Sequence, residues 1–225
     1  MLNGIIYGLS YFTVLPFKLN YFEANKQFYK GVVYSLPLSG FILSLLIIFI
    51  YNLLPYHIIY NAIFTSILYL FLYGFLHLEA TADTIDGYFA SLSKKDIYQI
   101  MHEPQIGAVG AVGTFCFALF NIIAIAYALY LQAYFVIIVS LILSRLSIIF
   151  ALELDYHPKS SFVLSLKENN ITNDILKIIL FPLRFFTKYI LNILKEKFGF
   201  LNGDTLGFVL VLNEIILLNI GLALC

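Results

Sequence analysis

The stretch AVGAVGTFCFALFNIIAIAYALY, Ala108 to Tyr130, decides the fold, because it contains no Asp, Glu, Lys or Arg. As a helix rising about 1.5 Å per residue it is long enough to cross the hydrocarbon of a bilayer. A helix pairs its own backbone groups, so such a run is stable in lipid. Comparable apolar runs lie at about Val33 to Leu54, Ile58 to Leu78, Ala133 to Leu152 and Thr205 to Leu224. They predict an all-α fold, a polytopic integral membrane helical bundle of about five to seven crossings with a short N-terminal interfacial helix. Residues 1–225 then form a single membrane-embedded domain.

Composition agrees. Hydrophobic residues make up 61% of the 225 and charged residues 12%, about half the charged share of a soluble domain. Thirteen basic side chains balance 13 acidic ones, so net charge alone points to no anionic partner. The lipid bilayer is the expected partner, with no nucleic acid, and composition alone names no substrate. The chain leaves the number of copies open, a homo-oligomer included. Cys116 reads as a small core residue and Cys225 as a loose end, not as a disulfide framework. No early Lys or Arg precedes the first apolar segment, and Gly8 and Pro16 interrupt it. That fits a cleaved signal peptide poorly and predicts a mature chain beginning near Met1.

The first 32 residues, a short apolar segment ending at Pro16 and then a polar stretch with Lys18, Lys26 and Lys30, read as an interfacial or re-entrant helix. Two long polar links, Glu79 to Gly107 and Glu153 to Asn173, carry Lys94, Lys95, Lys159 and Lys167, whereas the short links carry no Lys or Arg. By the positive-inside rule the N-terminus and both long links face the cytoplasm, which predicts a multi-pass protein of a bacterial or archaeal cytoplasmic membrane. Asp174 to Gly199 is apolar yet holds Lys177, Pro182, Arg184, Lys188, Lys195 and Lys197. It reads as a basic amphipathic helix on the cytoplasmic face or as a hairpin returning to the same side, so zero or two crossings.

The chemistry concentrates at Gly74-Phe75-Leu76-His77-Leu78-Glu79-Ala80-Thr81-Ala82-Asp83-Thr84-Ile85-Asp86-Gly87. Spacings of four and three residues put Glu79, Asp83 and Asp86 on one helix face, where like charges repel unless a cation joins them. Hard oxygen ligands suit Mg²⁺, which takes one or two carboxylates and completes its shell with water and substrate phosphates. The plainer alternative is a solvated helix end carrying acids that its dipole favours.

A second constellation, Gly199-Phe200-Leu201-Asn202-Gly203-Asp204-Thr205-Leu206-Gly207, opens the last apolar helix. Asn202, Asp204 or Thr205 is either a plain N-cap or, with Gly203, part of a phosphate site in which Asp204 is a metal ligand or general base. Glu214 lies inside that helix, and its expected partner is Arg145 in the fourth crossing. The two form a structural ion pair or contact substrate. Gly107, Gly110 and Gly113 read as close helix packing, while His102 and Glu103 lie just outside the membrane on the catalytic side.

In order and spacing, the block from His77 to Gly87, the block from Ile100 to Gly110, and Gly203-Asp204-Thr205-Leu206-Gly207 with Glu214 resemble the cobalamin synthase, or adenosylcobinamide-GDP ribazoletransferase, family. Leu9 to Pro16 and Pro37 to Gly40 look like its opening. The chain resembles a divergent member: Glu79 stands for the family's first Asp, His102 to Gln105 replace a Lys-Asp-Ser-Arg run, and Asn202 replaces a Thr. The resemblance implies a Mg²⁺-dependent membrane enzyme joining α-ribazole, or its 5′-phosphate, to adenosylcobinamide-GDP with release of GMP. It implies Glu79, Asp83, Asp86 and Asp204 as metal ligands, and Asp83, Asp86 and Asp204 as catalytic residues. Apart from the resemblance, their placement in the chain leads us to expect His77, His102, Arg145, Lys94, Lys95, Gly203 and Glu214 at the substrate, with Arg145 and Lys94 or Lys95 balancing charge on the departing GMP.

Two other classes place acids in membranes. A CDP-alcohol phosphotransferase would show D-G-x-x-A-R followed by G-x-x-x-D-x-x-x-D, which is absent here. A cation or proton transporter would use a buried acid such as Glu214, but no inverted repeat is visible.

Overall fold

The computed structural model describes residues 1–17, 23–92, 96–101, 105–172 and 174–225. Eleven helices run through the described residues. In order they are α1 (Leu2–Phe12), α2 (Lys26–Leu53), α3 (Ile58–Leu72), α4 (Leu76–Leu92), α5 (Ile97–Ile100), α6 (Ala108–Tyr130), α7 (Tyr134–Ala151), α8 (Ser161–Glu168), α9 (Asp174–Ile179), α10 (Phe181–Phe198) and α11 (Gly203–Ala223). Four of them, α2, α6, α7 and α11, are long and apolar enough to span a membrane, and the bent pair α3 with α4 is a broken span, which would be the fifth, or a re-entrant loop. The protein is therefore a polytopic helical membrane protein.

Sequence and structure coincide closely at α6, α7 and α11 and differ elsewhere. Lys26 and Lys30 belong to the first crossing and not to a separate polar stretch: α2 begins at Lys26, where Asn25 Oδ1 accepts from the Phe28 amide at 3.0 Å, while Lys18 lies outside the described residues. The apolar run Ile58 to Leu78 is not one rod. Gly74 (φ 81°) and Phe75 (φ 57°) both sit in the left-handed region, which a right-handed helix cannot continue through. The chain turns there by 79°. The first part of what the sequence presents as a polar link, Glu79 to Leu92, is thus helical and belongs to α4. Cys116 is exposed on α6, not buried in the core.

Two apolar clusters hold the bundle. One joins α1, α2, α7, α8, α10 and α11 through residues such as Val32, Val33, Ile149, Leu191 and Val209. The other joins α2, α3, α6 and α7 through Leu43, Ile47, Ile125, Leu129 and Leu141. Phe49, Phe71, Phe115, Phe120 and Ile123 project outward and exposed, as expected where lipid is the solvent. α10 falls short of the requirements for a span and is amphipathic: Leu191, Leu194 and Phe198 pack inward, while Phe181, Phe185 and Tyr189 stay exposed. Arg184 and Lys188 reach back to Glu153 just after α7, at 2.9 and 2.5 Å. The segment forms two helices, α9 and α10, of which α10 is amphipathic.

Candidate active site

α4 and α11 pack side by side, and between their starts opens a cavity of ≈ 300 Å³. His77, Glu79 and Asp83 enter it from α4, Gly203 and Asp204 from α11, and Tyr11 and Phe12 from α1. Its remaining wall is apolar, from Leu36, Ile148, Phe162, Val163, Leu166, Leu206 and Leu210. Glu79 is exposed, and Asp83 and Asp204 are half-buried. These acids border an apolar surface that excludes water.

Local sequence explains how Asp204 is presented. Asn202 Oδ1 accepts from the Thr205 amide at 3.1 Å and Thr205 Oγ1 accepts from the Asn202 amide at 3.1 Å, a reciprocal cap that starts α11. Asn202 Nδ2 also donates to Asp204 Oδ2 at 2.7 Å. The plain N-cap and the site residue expected here are therefore different side chains, Asn202 and Asp204. Burial raises the Tyr11 phenol above its ordinary pKa, and the charges of Tyr7, Asp204 and Glu79 add to this. Tyr11 is thus a standing O–H donor at the cavity edge. The His77 ring is buried, stacked on Phe12 at 6.1 Å between centroids.

Asp86 is placed differently from the other acids. Its Oδ2 accepts from the Gly107 amide and its Oδ1 from the Gly110 amide, both at 2.7 Å, so the carboxylate caps the start of α6 across 21 and 24 residues of sequence. It does not line the cavity. This explains the small residues at the head of α6. A Cβ at Gly107 would stand 2.6 Å from Asp86 Oδ1, and one at Gly110 would overlap the same carboxylate. No group of three or more His, Cys, Asp or Glu placed to hold a metal ion is present among the described residues.

Arg145 and Glu214 do meet, but away from the cavity. Arg145 Nη1 donates to Glu214 Oε2 at 2.6 Å, with both side chains almost wholly buried. Tyr69 Oη and Asn121 Nδ2 each donate to Glu214 Oε1 at 2.7 Å, and Arg145 Nη2 donates to Tyr69 Oη at 2.9 Å. The network ties α3, α6, α7 and α11 together. Sequence reasoning did not single out Tyr69 or Asn121, although a polar residue inside an apolar crossing was the available signal. Tyr11 and Phe12 lie in the Leu9 to Pro16 stretch that resembles the family's opening but carried no assigned role, and nothing local marked Phe162, since aromatic residues are abundant throughout the chain. Lys94, Lys95, His102 and Glu103 lie outside the described residues.

A family model described as cobalamin-5-phosphate synthase matches residues 4–222. The chain is 32% identical to the adenosylcobinamide-GDP ribazoletransferase of Treponema denticola, over 97% of this chain and 96% of that one. It is 30% identical to the protein of that name from Alkaliphilus oremlandii, over 71% of this chain and 64% of the other. To the one from Caldanaerobacter subterraneus subsp. tengcongensis it is 22% identical over 96% of each. No solved structure matches.

Proposed function

The chain belongs to the cobalamin-5-phosphate synthase family, and from that membership and the cavity between α4 and α11 we propose that it transfers the adenosylcobinamide phosphoryl group from adenosylcobinamide-GDP to α-ribazole or its 5′-phosphate. A ribose hydroxyl oxygen attacks the phosphorus that carries the cobinamide. The bond from that phosphorus to the bridging oxygen breaks, and GMP leaves with the bridging oxygen. The observation that carries this proposal is the convergence of Glu79, Asp83, Gly203 and Asp204 on one cavity.

The carboxylates there fit Mg²⁺ of the kind that takes one or two carboxylates, water and substrate phosphates, and not an ion caged by protein alone. Glu79 and Asp83 would hold it, and when bound it would neutralise charge on the diphosphate. Asp204, fixed by Asn202, accepts the proton of the attacking hydroxyl, directly or through water. Tyr11 offers a hydroxyl to a phosphate oxygen. The backbone at the start of α11, headed by Gly203, favours an anion. Apolar walls from α2, α7 and α8 keep bulk water from competing as the nucleophile. Asp86 holds α4 against α6 and so acts by positioning, while Arg145 and Glu214 set the bundle in which the cavity forms. With the N-terminus cytoplasmic by the distribution of Lys, the cavity opens to the cytoplasm.

The test is to incubate the purified protein in detergent with adenosylcobinamide-GDP, α-ribazole phosphate and Mg²⁺, and to measure GMP and the completed corrinoid. Asp83→Ala and Asp204→Ala should each lower turnover by about 10²-fold or more while the protein still inserts and folds. Near-normal turnover in both variants would reject the assignment.

A further inference from the structure

The cavity is chemically two-sided, and the reaction has two substrates of very different size. At about 30 Å³ per water, ≈ 300 Å³ holds roughly ten water molecules. That is room for a nucleoside's base and sugar and none for a corrin ring with its side chains. Along α11 the lining changes from Asp204 at the helix start to Leu206 and Leu210, the latter about 9 Å further along the helix axis. Leu36, Ile148, Phe162 and Leu166 continue that wall, and none of these side chains carries a donor or acceptor. Tyr11 and Phe162 pack ring to ring at 5.3 Å, giving the chamber an aromatic edge on which a flat base can stack.

Resting on the reaction proposed above, we infer that this chamber is the acceptor's binding site, taking the flat apolar base of the α-ribazole class against Phe162, Leu166 and Leu210 with its ribose turned toward Asp204. The corrinoid nucleotide then meets the cavity only at its acidic mouth. The apolar wall contributes by burying the base and its methyl groups, and it offers nothing to pair with a polar substituent on the base. Choice of base is therefore set by α8 and α11, apart from the acids that run the chemistry.

The experiment needs no corrinoid in its first arm. Calorimetric titration of the wild-type protein with α-ribazole should show binding, and the riboside of benzimidazole lacking both methyl groups should bind about tenfold more weakly. In the second arm, Phe162→Ala should raise KM for α-ribazole about tenfold and leave KM for adenosylcobinamide-GDP unchanged. Equal affinity for the two ribosides, or a Phe162→Ala effect on the corrinoid KM alone, overturns the inference even if GMP is released. Methyl-dependent nucleoside binding without GMP release in any substrate pair sustains the chamber and overturns the proposed reaction instead.

Discussion

Removing Glu214 should damage the bundle before it damages the chemistry. Its carboxylate accepts from Tyr69, Asn121 and Arg145 at 2.6 to 2.7 Å and has no exposed surface. In Glu214→Ala, Arg145 keeps Leu141 O, Ser144 Oγ and Tyr69 Oη as acceptors but loses its counter-charge. A buried ion pair broken at one partner costs about 3 to 5 kcal/mol. At roughly 2 to 4 °C per kcal/mol for a chain of this size, Tm should fall by about 6 to 20 °C. The chain has no Trp, so thermal unfolding in detergent is best followed by far-ultraviolet circular dichroism. The double variant Arg145→Met/Glu214→Leu, which removes both charges and nearly preserves volume, should recover most of the loss. If Glu214→Ala melts within 1 °C of the parent but releases no GMP, the pair serves the substrate and the structural role assigned here is wrong. A double variant weaker than either single one would also refute the pairing argument.

Gly110→Ala pushes a methyl into the Asp86 carboxylate and the Ala82 carbonyl oxygen; it should cost about 1 to 3 kcal/mol, read as faster hydrogen exchange at the head of α6. Asn202→Ala removes the reciprocal cap of α11 and should cost about 1 kcal/mol, with a rise in KM for both substrates because Asp204 loses its Nδ2 donor. Burial by itself would raise the Glu153 carboxyl, but the hydrogen bonds and charges of Lys188 and Arg184 overturn that and hold it below the ordinary carboxylate range. A carboxyl depressed in the folded state stabilises above its unfolded pKa of about 4.3. That contribution is lost as pH falls through the lower folded value. α10 should therefore become protease-sensitive only on acidification below that range, and Lys188→Ala should shift the loss to higher pH; a pH-independent digestion pattern would count against the anchor.

Composition and run length alone determined that the chain is a helical membrane protein, and they bounded α6, α7 and α11 to within two residues at each end, because in lipid every span must be apolar and satisfy its own backbone. They also paired Arg145 with Glu214, since two opposite charges in neighbouring apolar crossings have few other places to go. Tertiary structure alone decided the rest. Two left-handed residues broke the second crossing and swung the acidic helix by 79°, and only then did Asp86 turn to cap α6 while Glu79 and Asp83 turned to face Asp204 across a cavity. Helical periodicity says which side chains share a face. Which partner that face meets depends on amides and apolar walls supplied by segments far away in the chain, and on a packing angle that no local pattern encodes.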